Sequence, residues 1–219
     1  MSDFFTADLH LDHYNPSTGT GILKHTDRPF STIEEMNEAF VSNWNAIVTK
    51  KDTTYVLGDF AWKRHNYWAQ RLNGHKVLIP GNHDKMSQIS KNAFTIAPPL
   101  LERKFNKQRI IMCHYAMRTW SASHHDSWHL YGHSHGRLPE FLIDKETGLK
   151  TYFGSSFDVG VDVWDYAPVS FEMVAIKMQK IIESKAQRDP KWYDDDFDPQ
   201  EVCRANRSHN YSCVATANV

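Results

Sequence analysis

A chain of 219 residues with Lys+Arg 25 against Asp+Glu 26, formal charge -1, supports one domain large enough to bury a sheet between helices. That balance gives no global attraction to polyanions, which argues against long DNA or RNA as a partner. No segment approaches the ~20 apolar residues that cross a bilayer, and the N-terminus lacks a basic region followed by a long apolar stretch. A soluble cytoplasmic protein with no membrane partner is the expectation.

Residues 3–7 read as a first strand, and 8–21 have loop composition. Ser31 and Glu34 form a capping-box pattern ahead of Ile33, Met36, Phe40, Trp44 and Ile47, spaced for one face of a helix. Short β-prone runs at 55–57 and 76–79 flank a helix over 67–72. Strands at 100–105 and 109–112 are joined by Asn106-Lys107-Gln108, and Leu130-Tyr131 closes a further apolar run. Runs 141–143 and 151–153 suggest a hairpin. Phe171, Val174, Ala175, Met178, Ile181 and Ile182 fit a helical stripe over 170–185.

From 186 the chain turns polar and acidic, with Asp194-Asp195-Asp196 and the aromatics Trp192, Tyr193, Phe197 and Tyr211. The reading is one domain over 1–185 and a partly ordered extension over 186–219. Cys113, Cys203 and Cys213 are odd in number and sit in unlike contexts, against a disulfide framework.

Clusters of oxygen and nitrogen ligands punctuate the chain in order: Asp8-Leu9-His10, Gly58-Asp59, Gly81-Asn82-His83-Asp84, His114, and Gly132-His133-Ser134-His135. Several follow apolar runs, so strand ends would deliver them to one edge of a sheet. Two cations roughly 3.5 to 4 Å apart need a bridging carboxylate and further imidazole or oxygen ligands. Asp59 is the natural bridge. Imidazoles from His10, His114, His133 and His135 favour two divalent ions of manganese, iron or zinc over magnesium or calcium. The carboxamide of Asn82 adds a neutral oxygen and leaves the centre cationic toward substrate.

This motif series resembles the calcineurin-like metallophosphoesterase superfamily, especially a compact bacterial and phage branch with stretches similar to Arg28-Pro29-Phe30, Asn43-Trp44-Asn45 and Tyr166-Ala167-Pro168-Val169-Ser170. The resemblance spans roughly residues 3–178, and five ordered motifs make it specific. Mixed strands and helices alone would suggest a doubly wound sheet. The resemblance implies instead an α/β fold of four layers, an α/β/β/α sandwich. It also implies one metal at Asp8, His10, Asp59 and His135, and another at Asp59, Asn82, His114 and His133. His83 would act on the phosphoryl group, with Asp84 orienting its ring.

The activity so implied is hydrolysis of a phosphate ester by a hydroxide bridging two metals, without a covalent intermediate. Arg28, Arg118 and His13 are candidate substrate contacts; Lys63 and Arg64 rank behind them. Trp62, Trp120 and Trp164 could stack on a nucleobase, although core packing is the default for Trp. A nucleotide or small phosphodiester is the favoured substrate. A phosphomonoesterase and a non-catalytic, partner-binding scaffold on the same fold are the alternatives.

Overall fold

Burial on both faces is what the central strands encode. The computed structural model describes residues 1–143, 150–152 and 154–186. Expectations for the extension after 186, including Trp192, Tyr193, Phe197, Tyr211, Cys203 and Cys213, and for Phe153 lie outside the described residues. In chain order the elements are β1 (Asp3–Thr6), β2 (Tyr14–Asn15), β3 (Thr20–Gly21), α1 (Ile22–His25), α2 (Ile33–Ile47), β4 (Thr53–Leu57), α3 (His65–Arg71) and β5 (His75–Ile79). They continue with β6 (Thr95–Ile96), β7 (Leu100–Phe105), β8 (Gln108–Cys113), β9 (Trp128–Tyr131), β10 (Phe141–Ile143), β11 (Lys150–Tyr152), β12 (Ser156–Asp158), β13 (Val169–Ser170) and α4 (Phe171–Ala186).

Two sheets carry the fold. One runs β13-β1-β4-β5-β6, with β1, β4, β5 and β6 parallel and β13 antiparallel at its edge. The other runs β12-β9-β8-β7, with β12, β9 and β8 parallel and β7 antiparallel. Parallel strands buried on both faces read as continuous apolar runs, and β1, β4 and β5 do so. Phe4, Val56 and Leu78 point to a core shared with Met36, Phe40 and Trp44 of α2 and Trp68 of α3. Phe5, Tyr55, Leu57, Val77 and Ile79 point the other way, to Ile110, Met112, Leu130 and Phe157 of the second sheet. Each such buried side chain contributes about 2 kcal/mol.

The α/β class is therefore as expected. Val174, Met178 and Ile181 of α4 join the core between the sheets, so the buried contacts of α4 do not by themselves define an outer fourth layer. The start of α2 also differs in detail from the Ser31/Glu34 pattern. Thr32 is the cap, accepting from the Glu35 backbone N–H at 3.0 Å, while Glu35 Oε2 accepts from the Ser31 N–H at 2.8 Å. Two adjacent hydroxyl residues and two adjacent glutamates allow either frame, and Ile33 entering the core selects the later one. Ile47, at the far end of the stripe, is 43% exposed.

Strand direction fixes where chemistry can occur. The C-terminal ends of β1, β4 and β5 in one sheet, and of β8, β9 and β12 in the other, release the chain toward the same region. Gly58, immediately after β4, has φ +86, and a Cβ there would stand 2.6 Å from the Gly81 Cα and 2.8 Å from its N. Backbone packs on backbone here, so Gly58→Ala should destabilise the protein by about 2 kcal/mol or more. A thermal melt of the variant within a degree of wild type would contradict that close approach.

Candidate metal centre

Five strand ends supply the groups that meet. Asp8 and His10 follow β1, Asp59 follows β4, and Asn82 follows β5; His114 follows β8, and His133 and His135 follow β9. Five of these seven, Asp8, His10, Asp59, His133 and His135, have positive φ, between 49 and 68. Non-glycine residues pay for that conformation by roughly 1 to 3 kcal/mol each, and it persists where surrounding structure over-determines it.

Two triads result. Asp8, His10 and His135 form one and Asp59, His114 and His133 the other, with the offered atoms of each lying within 4.8 Å of one another. Asp59 Oδ2 lies between them, 3.5 Å from His10 Nε2 and 3.4 Å from His114 Nε2. Its other oxygen accepts from the His83 backbone N–H at 2.9 Å. Asn82 joins the second triad, its Oδ1 2.9 Å from His114 Nε2, and His133 Nδ1 is 3.2 Å from the same nitrogen.

These spacings test whether a cation fits. Ligands about 2.1 Å from a cation are separated by about 3.0 Å along an octahedral edge and about 3.4 Å along a tetrahedral one. The distances from His114 Nε2 to Asn82, His133 and Asp59 fall in that range. In the first triad, Asp8 Oδ1 and His10 Nε2 are buried without a hydrogen-bond partner. Such atoms cost about 1 to 3 kcal/mol each unless something else binds them. Donor chemistry agrees: two carboxylates, four imidazoles and one carboxamide suit a pair of borderline divalent ions and leave net positive charge.

The histidine nitrogens turned away from the centre are tied down. His114 Nδ1 lies 2.8 Å from the Leu57 carbonyl, and His135 Nδ1 lies 2.7 Å from Asp162 Oδ2. Each therefore donates through Nδ1–H and leaves the Nε2 lone pair free to bind a metal. Burial alone would raise the Asp59 carboxyl, but the hydrogen bond and charge of His114, with His10, hold it below the usual carboxylate range. Burial likewise opposes charge on His114, and Asp59 overcomes it, raising the imidazole above its ordinary value. Burial pushes Asp8 up to about 7, tempered by His135 and His114. A chain with these carboxylates and imidazoles this close holds protons that a cation would displace.

No protein-family model matches the chain. An uncharacterized protein of Methanocaldococcus jannaschii is 30% identical over 184 residues, covering 81% of this chain and 91% of that protein. The Gene 66 protein of Mycobacterium phage L5 is 29% identical over 96 residues, 41% of this chain and 43% of that protein. Among solved structures, a protein of unknown function from Aquifex aeolicus has the same fold, with TM-score 0.58 at 20% identity over 80% of this chain and 98% of that one. The chain belongs to one family with the Methanocaldococcus jannaschii protein.

The remaining expected residues fall into three groups around these triads. His83 sits beside the first triad, its ring centroid 5.4 Å from that of His10 and 5.6 Å from that of His13. Its neighbour Asp84 does not hydrogen-bond the His83 ring. The Asp84 carboxylate instead accepts backbone N–H groups of Asp59 at 2.8 Å, Phe60 at 3.0 Å and Gly81 at 2.9 Å. A short, buried carboxylate held by three amides locks the two ligand loops together, which corrects the expected ring-orienting role.

Arg28 is also corrected. It is buried and forms a bidentate pair with Asp162, both contacts at 2.7 Å, while donating to the carbonyls of Asp8 at 2.6 Å and Leu9 at 3.1 Å. It is a strut beneath the first triad and presents no free edge to substrate. Arg118 is exposed, and His13 is half-buried against His10.

Three contributors escaped the sequence reading. Asp162 ties Arg28 to His135, and Asp158 accepts from Ser134 Oγ at 2.5 Å and the Gly136 N–H at 3.1 Å, shaping the loop that carries His133 and His135. Tyr115, 47% exposed, sets its ring edge-on to His114 and His133 at 4.9 and 4.8 Å, with its hydroxyl 3.4 Å from Asn82 Oδ1. Only Tyr115 had a sequence signal, since it directly follows His114. A cleft of about 430 Å³ is lined by Tyr14, Leu23, Lys24 and Glu34 and holds none of the convergent ligands. Chemistry, not volume, locates the site.

Proposed function

We propose that the protein hydrolyses a phosphate ester with two divalent cations, and that its substrate is a nucleotide or another small phosphodiester. The observation that carries this reading is Asp59 Oδ2, set between two separate triads that each offer the donors of one cation. Asp8, His10, Asp59 and His135 would hold one ion, and Asp59, Asn82, His114 and His133 the other. When bound, such a pair lowers the pKa of a shared water toward neutrality and offsets charge on the phosphoryl oxygens.

The protein's own groups then divide the remaining work. Asn82 and His133 stand at the exposed rim while Asp8, His10, Asp59 and His114 are buried, so substrate approaches from the Asn82 side. His83 is the candidate donor to the leaving oxygen or the charged phosphoryl group, fixed at its backbone by Asp59.

Two cations near the loops support diester over monoester. Arg28 is clamped by Asp162, and Arg64 by Asp12 at 2.7 Å through two nitrogens. Neither guanidinium is available to offset the second negative charge of a monoester. With added manganese, bis-p-nitrophenyl phosphate should be hydrolysed faster than p-nitrophenyl phosphate. The reverse order would reject the diester preference, and inactivity on both at full metal content would favour a partner-binding scaffold.

A further inference from the structure

Three rings run outward from the first triad, His10 meeting His13 edge to edge and His13 stacking on Trp62. His10 and His13 lie 5.0 Å apart at 25°, and His13 and Trp62 lie 4.3 Å apart at 3°. Trp62 also stands 5.4 Å from the His83 ring, and its backbone N–H donates to the Leu11 carbonyl at 2.7 Å. That bond, with the bridge between Leu11 and Ala61, ties the segment after Asp59 to the segment after His10. Trp62 is thus anchored by backbone and laid flat on His13.

Hydrogens can be assigned along this row of rings. His10 Nε2 is buried, without a hydrogen-bond partner, and 3.5 Å from Asp59 Oδ2, so its lone pair is the one offered to a cation. Its hydrogen must then reside on Nδ1, which lies 2.9 Å from His13 Nδ1. Two nitrogens at that distance need one donor and one acceptor. His10 donates, His13 accepts at Nδ1, and a neutral His13 keeps its hydrogen on Nε2. Among the described residues that Nε2 makes no hydrogen bond, and the ring lies 5.6 Å from His83.

We propose that His13, clamped by Trp62, presents its Nε2–H as a hydrogen-bond donor to a non-bridging oxygen of the substrate's phosphoryl group, with Trp62 as the positioning residue. This rests on the phosphoesterase reading above and assigns a specific atom within it. A metal on His10 determines the tautomer of His13 through one hydrogen bond, so loading the centre also prepares the substrate contact. Trp62 supplies what that bond lacks, a broad surface that keeps the imidazole from rotating away.

Two measurements on the zinc-loaded, full-length protein test it. Nitrogen-15 spectra of labelled histidine, with His13 assigned by its absence in His13→Ala, should give His13 as the Nε2–H tautomer with an acceptor Nδ1. Titration with inorganic phosphate should give roughly tenfold or weaker binding in His13→Ala, the change carried by a hydrogen bond to a charged group. Trp62→Ala should weaken phosphate binding at unchanged zinc content, and Trp62→Phe, which keeps a flat ring, should restore most of it.

A His13 hydrogen on Nδ1, or phosphate affinity unaffected in His13→Ala and Trp62→Ala, overturns the proposal while wild type still loads metal and cleaves esters. A wild-type protein that loads no metal and cleaves no ester overturns the parent reading and this one with it.

Discussion

His83→Ala should retain the metal content of the wild type and lose about 10² to 10⁴-fold in kcat, the range a positioned acid or base contributes. The separation follows from geometry. The His83 ring neighbours the first triad at 5.4 Å from His10, but His83 belongs to neither group of convergent donors. Its backbone N–H is what Asp59 uses, and alanine keeps that group. Asp59→Ala is the contrasting case, since one carboxylate serves both triads and also fixes the loop carrying His83. That variant should lose metal and turnover together. Metal analysis beside steady-state kinetics decides the matter: metal loss in His83→Ala would make His83 a ligand, and full turnover would remove it from the reaction.

Some of this site was legible in the sequence for a physical reason. Ligands that terminate parallel strands must follow apolar runs, and Asp8, Asp59 and Asn82 each do so in a local pattern. The residues that aim those ligands carry no local pattern. Arg28 and Asp162 meet across 134 positions, and a buried arginine looks like any other until its partner is known. Asp84 misled because chain neighbourhood suggested His83, whereas three amides gathered by the fold satisfy its oxygens better than one ring could. The short strands β12 and β13 were also missed. Each is stabilised by a neighbour distant in sequence, β9 or β1, so three or two residues suffice where an isolated strand would need more.

Asp162→Ala should be the most damaging substitution outside the ligands themselves, and for two separable reasons. The Arg28 side chain is fully shielded from solvent, and Asp162 is its carboxylate partner. Removing one member of a buried pair costs about 3 to 5 kcal/mol because the survivor keeps its charge without compensation. In a protein of this size that lowers Tm by roughly 10 °C. The second loss is at His135, whose Nδ1 no longer has the acceptor that orients it; removing such a partner typically weakens metal binding by about 10 to 100-fold. Asp162→Asn keeps the shape and one acceptor and should lie between wild type and alanine on both scales. Acid dependence provides an internal check. Burial would raise the Asp162 carboxyl, but Arg28 and His135 hold it well below the usual carboxylate range. A group depressed on folding stabilises the protein above its unfolded pKa of about 4 and loses that contribution as pH falls toward the folded value. The metal-free wild type should therefore lose stability below about pH 4 more steeply than Asp162→Asn. Parallel slopes in urea melts across that range would mean that Asp162 is not the carboxylate on which the Arg28 strut and the His135 ring depend.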